Sequence, residues 1–218
     1  GVTMSLEKRK KMLELASKYD VLILEDNPYG DLRFAGENVP TLKSMDTEGR
    51  VIYAGSFSKI LSPGMRLGYI VADSKICEKI EILKQVNDVH TPMLTQLMCA
   101  EFMKRYDIDE YIEKNRALYG EKCRVMLETM ERCFPKGKVE WTVPEGGIFL
   151  WCKCPTIEDI TPVVDKCLAE KVAIVPGSNF AVDMNAPSNQ FRLNYSSATP
   201  EKIKTAVERL GKVLAELL

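Results

Sequence analysis

Residues 51–72, VIYAGSFSKILSPGMRLGYIVA, constrain this chain more than any other stretch. Two short apolar runs, Val51–Ala54 and Gly68–Ala72, read as buried strands. The loop between them carries two serines, a lysine, an arginine and two glycines. Lys59 follows Ser56-Phe57-Ser58 among apolar neighbours, and Arg66 stands seven residues later in Gly64-Met65-Arg66-Leu67-Gly68.

A lysine near apolar surroundings loses part of its hydration. Its pKa can then fall far enough for the amine to act as a nucleophile. The neighbouring hydroxyls and the guanidinium are donors suited to a phosphate. A Schiff-base-forming amine beside a phosphate-binding set describes a pyridoxal phosphate site. The same residues also describe a surface loop whose lysine and arginine are merely solvated. This stretch alone does not choose between the two, so the rest of the chain has to.

Ahead of that loop, Ser5 can cap a helix with Glu7 in its first turn. Met12, Leu13, Ala16 and Tyr19 mark one face of it. Val21–Leu24 is a continuous apolar run, the pattern of a strand buried on both faces. The chain thus opens helix then strand, half of a βαβ unit, as if it began in mid-fold. Glu25-Asp26-Asn27-Pro28-Tyr29 follows that strand, at the sheet edge where open parallel sheets bind ligands. The turn chemistry of Asp, Asn and Pro explains those residues equally well.

After the loop, Ser74 is the expected cap of a helix whose face is Ile76, Ile80 and Leu83. His90, the single histidine, reads as a loop residue before Pro92. Leu94, Leu97, Met98 and Phe102 mark another helix, and a long helical pattern runs from Ile108 to Cys133. Val139–Val143 and Ile148–Cys152 flank Pro144-Glu145-Gly146-Gly147 as two strands. A helix over 157–170, strands at Val172–Val175 and Gln190–Tyr195, and a last helix from Pro200 complete the pattern. Arg192 sits mid-strand between Phe191 and Leu193, where a guanidinium is costly unless paired. Either a carboxylate ligand or an acid on a neighbouring element would satisfy it.

Thirty Lys and Arg against 31 Asp and Glu leave a net charge of −1 without a basic stripe, so no nucleic-acid binding by this chain is expected. No apolar run approaches membrane-spanning length, so no membrane is expected either. Seven cysteines, an odd number and mostly in apolar patterns, fit thiols in a reducing cytosol. Cys152-x-Cys154 lacks a second pair at zinc spacing, and no metal site is expected.

The chain resembles the C-terminal half of class I/II aminotransferases, the fold-type-I pyridoxal phosphate enzymes, and in flavour the branch with the 2-aminoadipate, aromatic and kynurenine aminotransferases and the aminotransferase-like regulators. Five patches carry the resemblance in the family's order: Glu25–Tyr29, the Ser56–Gly68 loop, Pro144–Trp151, Val175–Phe180 and Phe191–Ser196.

The fold implied is α/β: part of a three-layer large domain with a mostly parallel sheet over residues 1–106, a bridging helix over 107–134, and a small C-terminal α/β domain over 135–218. The resemblance implies that Lys59 holds pyridoxal 5'-phosphate as a Schiff base. Asp26 would partner the pyridine nitrogen, Tyr29 the ring's phenolic oxygen, and Ser56, Ser58 and Arg66 the phosphate, while Arg192 would clamp the substrate carboxylate. The implied activity is amino-group transfer between an L-amino acid and a 2-oxo acid by a cytoplasmic homodimer. The family's other cofactor contacts lie ahead of this stretch, so these residues are not expected to complete the site by themselves. Two alternatives share the scaffold: the effector-sensing domain of an aminotransferase-like transcriptional regulator, and a β-lyase or decarboxylase.

Overall fold

The computed structural model describes residues 1–218, which divide into two compact units: Met4–Asn115, and Arg116–Leu218 together with Gly1–Thr3.

In the Met4–Asn115 unit, α1 (Leu6–Tyr19) starts as its cap predicts, with Ser5 Oγ accepting from the Lys8 N–H. It ends at Asp20 in the left-handed region. Ala16 is its one buried residue, and Tyr19, expected on the inner face, is 63% exposed. Strands β1 (Ile23–Asp26), β2 (Val51–Ser56) and β3 (Gly68–Val71) form a sheet in that order. β1 and β2 are parallel, whereas β3 returns antiparallel to β2.

Successive side chains alternate between the faces of a sheet. Ile23, Glu25, Val51 and Tyr53 therefore share one face, and Leu24, Asp26, Ile52, Ala54, Ser56 and Ile70 share the other. The first face is covered over β1 and β2, while Tyr69 and Val71 of β3 on the same face are exposed. Glu25 accepts from the N–H groups of Leu42 and Lys43, at the start of the short helix α2 (Leu42–Met45), and Val51 is fully buried. The second face is open. Leu24 is 67% and Ile70 43% exposed, so neither β1 nor β3 is buried on both sides, as their apolar runs predict. The run announces a buriable strand; it does not say whether this chain supplies the cover.

Helix α3 (Ser74–Asn87) is capped by Asp73, whose carboxylate accepts from Lys75 N–H, and not by Ser74. None of its residues is buried: of the expected face, Ile76 and Ile80 are half-buried and Leu83 is exposed. Helix α4 (Met93–Arg105) likewise exposes Met93, Leu94, Leu97 and Met98. His90 is an exposed loop residue. Helix α5 (Ile108–Cys133) matches the predicted span, and residues of it belong to each unit.

The Arg116–Leu218 unit has a four-stranded sheet, order β4-β5-β7-β6, from β4 (Glu140–Trp141), β5 (Phe149–Lys153), β6 (Val175–Pro176) and β7 (Gln190–Asn194), all antiparallel. Leu150 pairs with Leu193 and Cys152 with Phe191, and all four are buried. Cys154, just beyond β5, is buried too. Helix α6 (Thr161–Ala169) is shorter than the predicted 157–170. The Ile160 N–H donates to the Ser188 carbonyl instead of propagating a helix. Helix α7 (Pro200–Leu217) is capped by Thr199 and buries Ile203, Val207, Leu210, Val213 and Leu214, each worth about 1.5–3 kcal/mol relative to exposure.

Candidate functional site

In the Met4–Asn115 unit, Asp26 ends β1 and Ser56 ends β2. Because the two strands are parallel, both side chains stand at the same end of the sheet and on its open face. After β2 the chain makes one tight turn, in which the Leu61 and Ser62 N–H groups donate to the Phe57 carbonyl at 2.8 and 3.1 Å. Ser56 Oγ accepts from the Ser58 N–H at 3.1 Å and so ties down the turn's start. Lys59 sits on this turn, half-buried, with Nζ 6.0 Å from the centroid of the Tyr29 ring. The next residue, Ile60, is buried, and its carbonyl accepts from Asn115 Nδ2 of α5 at 3.0 Å.

Arg66 adopts φ +54°, a left-handed conformation costing a non-glycine residue of order 1 kcal/mol or more. Its Nη1 lies 3.1 Å from the Pro63 carbonyl and 3.4 Å from Ser58 Oγ. The guanidinium is thereby turned back over the serine loop. No hydrogen bond or ion pair of the chain engages the Asp26 carboxylate or the Lys59 amine other than the ring contact to Tyr29. The six residues predicted from sequence around Lys59 are therefore gathered at the carboxyl ends of two parallel strands. The arrangement offers one free amine, one free carboxylate, two serine hydroxyls, a phenol and a guanidinium.

The seventh, Arg192, belongs to the other unit. It lies on the half-buried face of β7, opposite Trp151 on β5. Its Cζ is 3.9 Å from the Phe149 ring centroid and 4.8 Å from that of Phe180. Its Nε is buried without a hydrogen-bond partner. A bracketed guanidinium with an unsatisfied buried N–H is an incomplete arrangement, one that a carboxylate would complete. The Phe180 ring is in turn met edge-on by Trp151, whose indole N–H donates to Gln190 Oε1. Tyr195, fully buried, donates from its hydroxyl to the Gly146 carbonyl and so ties β7 to the 144–147 loop. Burial and the neighbouring Cys123 push its phenol well above the usual tyrosine range.

Sequence reasoning passed over the aromatic bracket, because it depends on cross-strand register. It also left Asn27 without a role and did not single out Asn115.

The profile of the family described as aminotransferase class I and II matches residues 1–210. The aromatic-amino-acid aminotransferase 1 of Thermococcus litoralis is 42% identical over 99% of this chain and 51% of its own length. The mitochondrial kynurenine/alpha-aminoadipate aminotransferase of mouse is 35% identical over 100% of this chain and 52% of its own length. Among solved structures, the kynurenine aminotransferase of Pyrococcus horikoshii, in complex with PMP, superimposes with a TM-score of 0.95. It is 39% identical, with 100% of this chain and 54% of that one covered. The chain spans about half the length of the curated relatives it matches. On the match along nearly its whole length, the chain belongs to the class I and II aminotransferase family.

Proposed function

We propose that the whole protein is a pyridoxal-phosphate-dependent aminotransferase, moving an amino group between an L-amino acid and a 2-oxo acid. The observation that carries this reading is the unengaged Lys59 amine set among Asp26, Tyr29, Ser56, Ser58 and Arg66 at one end of a parallel strand pair.

The donor set fits the cofactor. Ser56, Ser58 and Arg66 suit its phosphate, Asp26 its ring nitrogen, and Tyr29 its phenolic oxygen. When bound, pyridoxal phosphate supplies an electron sink for charge developing at the substrate's α-carbon. The chain's own groups do the rest. Lys59 would be the covalent attachment point, and its amine would take the proton from the substrate α-carbon. Asp26, which has no side-chain partner in the chain, would hold a proton on the ring nitrogen. Arg192, its guanidinium set against the Phe149 and Phe180 rings, would take the substrate carboxylate.

The 2-oxo acid runs the same groups in reverse, so ping-pong kinetics are expected. The reading includes a homodimer in the cytoplasm. The support for the dimer is the uncovered apolar surface of Leu83, Val86, Leu94 and Leu97 on α3 and α4, which a second copy would cover. No helix is long and apolar enough to cross a membrane.

Two measurements on the whole protein test this. Transfer from a panel of amino acids to 2-oxoglutarate is expected in the native protein and not in Lys59→Ala. Undiminished transfer in that variant would overturn the assignment. Light scattering should give twice the mass of one chain, and a monomer would remove the dimer from the reading.

A further inference from the structure

Asn27 follows Asp26, so its side chain points to the opposite face of the sheet. There Asn27 Nδ2 donates to the Tyr53 hydroxyl at 3.2 Å, and the Asn27 N–H donates to the Ala54 carbonyl at 3.0 Å. The Tyr53 ring packs on Tyr69 at 6.1 Å between centroids, and the two phenols interact. Tyr69 in turn packs on Phe57 at 5.6 Å. Phe57 is the residue between Ser56 and Ser58.

Room for this chain of contacts is built into the backbone. A Cβ on Gly55 would stand 2.2 Å from the Tyr69 ring, and one on Gly30 would stand 2.4 Å from Asn27 Nδ2. Both glycines thus leave space that these two side chains fill. Burial and the Tyr53 neighbour push the Tyr69 phenol up to about 12.

We infer that Asn27, Tyr53 and Tyr69 form a positioning frame behind the site, which couples the segment carrying Asp26 and Tyr29 to the turn carrying Ser56, Ser58 and Lys59. This rests on the reading that those residues bind pyridoxal phosphate. The physical need is plain. Asp26 has no hydrogen bond of its own from the chain, so its direction is set by the strand end, and Asn27 anchors that end from the far face. Tyr69 gives the serine turn the same support through Phe57. None of the three positioning residues needs to touch the cofactor.

The test uses the whole protein stripped of cofactor, with Tyr53→Phe, Asn27→Ala and the double variant. The dissociation constant for pyridoxal phosphate is read by absorbance titration. The thermal midpoint of the cofactor-free protein is read beside it. Each single variant is expected to weaken binding about 2–10-fold, the range of one hydrogen bond, with little change in the midpoint. The double variant should be no worse than the weaker single one, because both cuts open the same link. Should Asn27→Ala fail to fold, Tyr69→Phe replaces it, because it deletes only a hydroxyl. Unchanged affinity in all variants overturns the frame. So does a fall in affinity that merely tracks a fall in the midpoint. A native protein that binds no cofactor at Lys59 overturns the underlying reading, and the frame with it.

Discussion

The unit Arg116–Leu218 closes its own core, and the unit Met4–Asn115 does not. In the former, the Leu150–Leu193 and Cys152–Phe191 pairs and the inner face of α7 are all buried. In the latter, one sheet face and most of the apolar surface of α3 and α4 are open, and the buried residues are few and scattered: Leu32, Leu42, Val51, Ile60 and Leu67 among them. The chemically loaded residues sit mainly in the open unit, with Asp26 and Ser56 on its uncovered face. The closed unit contributes one polar anomaly, Arg192, held on two aromatic rings. Burial alone therefore separates a unit that covers its own core from one that leaves a sheet face and two helix faces open.

The sharpest break of this contrast is chemical. Lys59→Ala should cost more than ~10³-fold in turnover of the whole protein, as loss of both attachment point and base requires. A kinetic assay checks it. Next comes the core. Leu210→Ala in the closed unit should destabilise by about 2–5 kcal/mol in urea unfolding. Val86→Ala on the open helix should stay within about 0.5 kcal/mol in this chain. Equal costs would erase the distinction between the units.

Arg192→Ala should then raise KM for the amino acid about 10²-fold, more than it lowers kcat for the half-reaction, because a bidentate charged contact is lost. Arg192→Lys should recover only part of it, since a point charge does not replace the planar fork.

A smaller effect is a pH dependence in the open unit. Burial would raise the Asp46 carboxyl, but the Val51 N–H, the Lys43 ammonium and the Arg50 and Glu48 N–H groups outweigh it and hold it at about 2. An unfolded aspartate titrates near ~3.9. The folded value is depressed, so this group's stabilisation is complete above that pH and is lost as pH falls toward 2. Asp46→Asn should remove this part of the acid sensitivity, a change of about 1.5–3 kcal/mol, readable as a flatter thermal midpoint between pH 5 and pH 2.

Much of the fold was legible because its signals are local. Ser5 announces its helix by capping, Pro200 starts the last helix at its first position, and α5 announces itself by periodicity over Ile108–Cys133. What failed depended on partners. The apolar runs at Val21–Leu24 and Gly68–Ala72 promise burial that β1 and β3 do not have. Asp73 displaced Ser74 as a cap because its carboxylate reaches the Lys75 N–H. Ile160 was drawn out of a predicted helix by the Ser188 carbonyl, a contact distant in sequence.

The site follows the same rule. Ser56, Ser58 and Lys59 share one loop and could be grouped by spacing, whereas Asp26 joined them only through the family resemblance. The ring bracket around Arg192 needed the register of β5 against β7. The Asn27–Tyr53–Tyr69 frame needed three strands at once, although period-two alternation in Tyr53-Ala54-Gly55 was a signal that could have found it.

The central claim is that Lys59 is the attachment point of pyridoxal phosphate. The direct measurement is borohydride reduction of the whole protein loaded with the cofactor, followed by peptide mapping. The account predicts a single stable label, on Lys59, lost in Lys59→Ala. A label on another lysine, or one scattered over the exposed lysines, would contradict it.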